Sequence, residues 1–129
     1  MAMTLNLEIA KGIRLQDIKN ALMGVEYSDL SEMESELSVV LPNTNASMSA
    51  KTNLEDSTVL TENLEDTGWS VGLRAYFDVD ITVPNLFDDV KKIVFNLSNQ
   101  TSFEFALSFQ YETLYAKKGS NGLDLSKDF

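Results

Sequence analysis

The stretch Trp69-Ser70-Val71-Gly72-Leu73-Arg74-Ala75-Tyr76-Phe77-Asp78-Val79-Asp80-Ile81-Thr82-Val83 is apolar at every odd position and largely polar at the even ones. A repeat of two puts alternate side chains on opposite faces of a strand, so this stretch is a strand with one buried face. Phe103, Phe105, Leu107, Phe109, Tyr111 and Tyr115 repeat the pattern, with Glu104, Ser108, Gln110 and Glu112 on the other side. Both stretches exceed the usual five or six residues, which calls for a bend or bulge within them. Between them Pro84-Asn85 stops the first strand, Asn85 can cap a helix, and Asp88 favours the helix N-terminus. Leu86, Val90, Ile93, Val94 and Leu97 then share one helical face, ended by Ser98-Asn99-Gln100. The spacing predicts a strand–helix–strand unit at 69–115.

Toward the N-terminus the same plan recurs more faintly. Leu5, Leu7 and Ile9 alternate, Gly12 breaks the strand, and Leu15, Ile18, Leu22 and Val25 mark one face of a helix. Leu30, Met33 and Leu37 are compatible with a helical continuation, while Leu37-Ser38-Val39-Val40-Leu41 reads better as a strand. Pro42-Asn43-Thr44-Asn45 is a turn signal, and Ala46, Met48 and Ala50 alternate after it, so a hairpin is expected across residues 36–52. Asn53-Leu54-Glu55-Asp56-Ser57 recurs as Asn63-Leu64-Glu65-Asp66-Thr67, two acidic turns flanking a short strand, Thr58-Val59-Leu60-Thr61. Together these predict one α+β domain over 1–129. It is a two-layer sandwich of a mostly antiparallel sheet with two helices on its apolar face. The strands flanking the second helix can run parallel, joined by a right-handed crossover. From about Lys117 the glycine-containing chain reads as a flexible tail.

Charge divides the chain unevenly. Between Glu26 and Asp66 stand ten carboxylates and one base, Lys51, a net of −9 out of −10 for the whole protein. A charge concentrated in one segment makes a directed field, which fits a basic partner, a cation, or a surface that repels nucleic acid. The absence of cysteine and histidine excludes disulfides, thiolate or imidazole zinc sites, and Ser-His-Asp or Cys-His catalysis. With 43% apolar residues the chain can build a real core. Met1-Ala2-Met3-Thr4-Leu5 begins no basic segment followed by an apolar run, and no apolar stretch approaches the roughly 18 residues of a bilayer span. A cytoplasmic location without membrane association is therefore expected.

Few constellations carry chemistry. Asp78 and Asp80 point the same way on a strand's polar face and could hold Mg²⁺ or Ca²⁺, or act as an acid–base pair, but a solvated strand face explains them as well. No third ligand follows from the spacing, so no metal or cofactor is expected. Asp88 is explained by capping, and Trp69 by the core. Lys91-Lys92 and Lys117-Lys118 are the only basic pairs, too few against the net charge for direct nucleic-acid binding. Glu32, Glu34 and Glu36, at every second position, would repel one another, a cost that a partner's Lys and Arg residues could offset.

In size, acidity, α+β character and the concentration of carboxylates in one segment, the chain resembles, at the level of class, the small cytoplasmic bacterial immunity proteins that neutralise nuclease toxins. That resemblance implies a non-enzymatic protein working by occlusion. Carboxylates steer fast association with a basic toxin, and nearby apolar residues hold the complex. The expected contact set is Glu32, Glu34, Glu36, Glu55, Asp56, Glu62, Glu65 and Asp66. Acidic secretion chaperones are similar in size and charge, but this chain differs in starting with a strand and lacking a C-terminal helix. A carboxylate-dependent metal enzyme built on Asp78 and Asp80 is the third reading.

Overall fold

The computed structural model describes residues 2–62, 64, 68–127 and 129. In chain order the elements are β1 (Ala2–Ala10), α1 (Leu15–Asn20), β2 (Ser28–Glu32), β3 (Glu36–Leu41), β4 (Ala46–Lys51), β5 (Val71–Asp80), α2 (Asp88–Gln100), β6 (Phe105–Phe109), β7 (Thr113–Gly119) and β8 (Gly122–Leu125). The strands form one sheet in the order β2-β3-β4-β5-β1-β6-β7-β8. Each neighbouring pair is antiparallel. The architecture is therefore α+β with an antiparallel eight-stranded sheet and two helices. Because β5 and β6 both run antiparallel to β1, they run parallel to each other, and α2 crosses over the central strand to join them.

Alternation sets the core. Leu5, Leu7 and Ile9 of β1 share one face with Leu73, Ala75, Phe77 and Val79 of β5 and with Phe105 and Leu107 of β6, all buried. Leu37, Val39 and Leu41 of β3 and Met48 of β4 extend the same cluster. The buried side of α1 (Leu15, Ile18) and of α2 (Val90, Ile93, Val94, Leu97) belongs to it too. Each Val, Leu, Ile, Phe or Met side chain among them contributes about 1.5–3 kcal/mol on burial, so this cluster dominates the fold's stability. At six residues, α1 is too short to persist without that packing. Asp17 supports its start, accepting from the Arg14 amide at 2.9 Å. Leu22 and Val25 are buried as expected, but on a series of turns that follows the helix and not on a helix.

Several expectations are corrected. The predicted strand at 103–115 is two strands, β6 and β7, joined at Gln110 and Tyr111, both at positive φ (52° and 62°). Glu112 N–H closes the turn on Phe109 C=O at 2.9 Å, the pattern of a type I′ hairpin turn. Asn85 makes no side-chain cap. Helix α2 begins at Asp88 behind Phe87, and the Asn85 carbonyl accepts the Asp88 amide at 3.0 Å. The helix instead gains Asp89, buried, whose carboxylate accepts from Thr44 Oγ1 at 2.7 Å and ties the helix to the β3–β4 turn. The stretch from Lys117, read as a tail, completes the sheet as the end of β7 and β8. There Lys118 Nζ caps the C-terminal carbonyls of α2, donating to Ser98 and Thr101 C=O at 2.5 and 2.6 Å. The hairpin expected at 36–52 is present as β3 and β4.

The bend expected in the long first strand is a bulge. Ile9 pairs with Leu73 but Ala10 pairs with Val71, so Gly72 is an extra residue. A Cβ on Gly72 would stand 2.7 Å from Lys11 Cα, which is why glycine sits there. The bulge also turns Val71 away from the main core to the opposite face, where it joins Val59, Leu64 and Ala106 in a second cluster. Trp69 packs there, half-buried, and not in the main core.

Candidate functional site

The sheet face opposite the main core is crossed by the connection from β4 to β5, described at residues 52–62, 64 and 68–70. It has no strand at Thr58-Val59-Leu60-Thr61. Backbone donors that a strand would pair are instead bonded to a side chain. Glu8, in the middle of β1 and fully buried, accepts from Leu60 N–H at 2.8 Å, Thr61 N–H at 3.0 Å and Thr61 Oγ1 at 2.5 Å. Arg74, its cross-strand partner on β5, places Nη2 3.5 Å from Glu8 Oε2. Arg74 also donates to Thr58 C=O at 2.5 Å and to Asp56 C=O. Three donors and a cation meet one carboxylate, and this offsets the cost of removing it from water. Leu54 and Leu64, the apolar members of the Asn-Leu-Glu-Asp repeat, both pack in the second cluster. The repeat thus supplies two apolar anchors for the connection.

The predicted contact residues hang on this frame in two groups. Glu32 ends β2 and Glu36 begins β3, with Glu34 exposed in the turn between them. That turn is closed by Met33 N–H to Glu36 C=O at 2.8 Å. Glu32 pairs across to Leu37, whose side chain enters the main core, whereas Glu36 pairs with Lys51 on the opposite face. The three glutamates therefore do not line one strand face, and the repulsion expected along it does not arise in that form. Each end of the turn has a counter-charge: Lys19 Nζ lies 2.9 Å from Glu32 and Lys51 Nζ 3.8 Å from Glu36.

Thr52 N–H donates to Ser35 C=O at 2.9 Å, so the acidic turn and the start of the acidic connection are joined at one end of the sheet. Glu55 and Asp56 follow directly and are exposed. The Asp56 carboxylate accepts from Thr58 N–H at 2.9 Å, and this bond holds its pKa below the ordinary value. Glu62 is carried down the face to the β6–β7 turn, where its amide donates to Tyr111 C=O at 2.7 Å. Glu65 and Asp66 lie outside the described residues. The structure thus joins, at one end of the sheet, the turn bearing Glu34 and Glu36 to the segment bearing Glu55 and Asp56, with Glu32 on the other face of the sheet, and sets Glu62 apart.

Asp78 and Asp80 are each engaged within the fold. Asp78 accepts from Thr4 Oγ1 at 2.8 Å on the neighbouring strand. Asp80 accepts from Thr82 Oγ1 at 2.6 Å, Thr82 N–H at 2.9 Å and Asn45 Nδ2 at 2.8 Å, which lowers its pKa to about 2. Among the described residues no group of three or more carboxylates gathers closely enough to hold a metal ion, and no helix is long and apolar enough to cross a membrane.

Residues missed by the sequence reading fall into two sets. Glu8, Arg74 and Thr61 looked like ordinary outward residues, because alternation cannot show that a distant segment covers their face. Met23 and Tyr27, which leave 67% and 49% of their surface in water beside the acidic segment, occupied no strong pattern of their own. Comparison with protein-family models, curated proteins and solved structures finds no match to this chain.

Proposed function

We propose that this chain is a non-enzymatic acidic binding protein that neutralises a basic protein partner by occlusion, in the manner of an immunity protein covering a nuclease-type toxin. The observation that carries this reading is the Ser35–Thr52 bond at one end of the sheet, which joins the turn bearing Glu34 and Glu36 to the segment bearing Glu55 and Asp56. A connection anchored by a fully buried carboxylate and two leucines holds Glu55 and Asp56 in place, so little ordering of these two is needed on association. Fixed carboxylates of one sign raise the encounter rate with a basic surface and make binding fall with salt. In this reading both helices lie on the core face of the sheet, since their buried residues share one cluster, and the acidic end is left accessible.

Capture from native-cell lysate on the immobilised protein at low salt tests the proposal. The control surface carries Glu34→Gln, Glu36→Gln and Glu55→Gln. A single basic protein, released by a salt step and absent from the control, is the expected result. Retention of an acidic or neutral client by both surfaces alike would replace occlusion with a chaperone-like role.

A further inference from the structure

We infer that the groove between the α1–β2 turns and the C-terminal end of α2 is the apolar anchor of that interface, and that it takes a bulky apolar side chain from a basic amphipathic helix of the partner. The inference rests on the acidic-binding reading and names what the partner must present. The groove is open, spans about 610 Å³ and is lined by polar Lys19, Asn20 and Gln100 as well as by Leu22, Met23 and Tyr27, of which Met23 and Tyr27 supply the exposed apolar surface. That volume falls in the range of ligand clefts and exceeds one side chain, so the groove takes the apolar residue together with part of the helix that bears it.

Its wall is built and not incidental. Leu22 and Val25 are committed to the main core, which leaves Met23 and Gly24 (φ +76°) facing outward. Asn96 of α2 donates to the carbonyls of both Ala21 and Met23, at 2.9 and 2.8 Å, and fixes the turn against the helix. A flexible methionine is thus held exposed on a fixed turn, with the exposed Tyr27 beside it, both residue types suited to protein contacts. Their surroundings choose the occupant. Glu26 and Asp29 flank Tyr27 and are exposed, and Glu32 bonds Lys19 on the groove's edge at 2.9 Å. A second copy of this chain would bring like charges to that rim, whereas a segment carrying Lys or Arg around an apolar residue meets both the charge and the groove.

The test uses two synthetic helical peptides of equal positive charge, one alternating Lys and Leu faces and one with Leu replaced by Gln. Each is titrated into the isotope-labelled protein and into Met23→Ser/Tyr27→Ser, whose two sites are exposed and whose amide spectrum verifies the fold. The Leu peptide should bind at least about tenfold more tightly, shift Met23, Gly24, Tyr27 and Gln100, and lose that advantage in the variant while the Gln peptide binds unchanged. Equal binding of the two peptides, untouched by the variant, would overturn the groove and leave the acidic reading standing. Binding by neither peptide would overturn both. Sedimentation of the free protein as a dimer that the variant dissolves would overturn the inference in favour of a second copy.

Discussion

Glu8 shows how one side chain decides where a whole segment lies. Its carboxylate is out of water and takes two backbone donors, a hydroxyl and a guanidinium, so it fixes Leu60 and Thr61 against that face. Removing one member of such a buried set leaves the others unpaired, and Arg74 already has an unpartnered Nε among the described residues. Glu8→Ala is therefore expected to cost about 3–5 kcal/mol, and Thr61→Val about 1–3 kcal/mol, in urea unfolding. A loss below about 1 kcal/mol for Glu8→Ala would mean that the connection is held by its leucines alone. Asp80 gives a pH dependence. Its folded pKa of about 2 lies below the ordinary 3.8, so its stabilisation is complete above about pH 4 and is lost as pH falls toward 2. Asp80→Asn should flatten the stability curve within that window and leave its shape near neutrality unchanged. An identical acid limb in the variant would contradict the assignment.

At the scale of elements, Gly72 is the position where local geometry and long-range placement meet. Without the bulge Val71 would face the main core and the second cluster would lose the residue that β5 contributes to it. Gly72→Ala puts a methyl group against the Lys11 backbone, which cannot yield as a flexible side chain could, so a loss of about 1–3 kcal/mol is expected. Thermal unfolding with the wild-type midpoint would contradict it. The same region shows what was legible in the sequence. The odd-position apolar run of β5, the helical face of α2 and the Pro42–Asn45 turn were readable because each is a local pattern that the tertiary structure reinforces. The β6–β7 turn was not, because Gln110 and Tyr111 carry no glycine or asparagine signal, yet both adopt positive φ. Strand β8 was hidden for the opposite reason: Gly119, Ser120, Asn121 and Gly122 signal a turn, and the four-residue strand beyond it is too short to show a period. The Glu8–Arg74 pairing follows from register across the sheet, and register is not written in either strand alone.

For the whole molecule the question is whether its surplus charge acts as a field with a direction. The sequence located the charge within residues 26–66, and the fold gathers part of it at one sheet end while the connection carries Glu62 to the β6–β7 turn. Lys19 and Lys51 partly neutralise that end, so the charge presented to a partner is smaller than the count suggests, and surface pairs of this kind are weak and screened by salt. Competition between those internal lysines and an external cation makes the account testable without knowing the partner. The most direct measurement is an amide-resolved titration of the protein with an oligolysine peptide at low and at moderate salt. Shifts are expected to concentrate between Glu32 and Glu36 and at Glu55 and Asp56, weakened by salt and removed by Glu34→Gln/Glu36→Gln/Glu55→Gln. Shifts spread evenly over all exposed carboxylates, and unchanged in that variant, would show a charge that serves solubility and contradict a built binding surface.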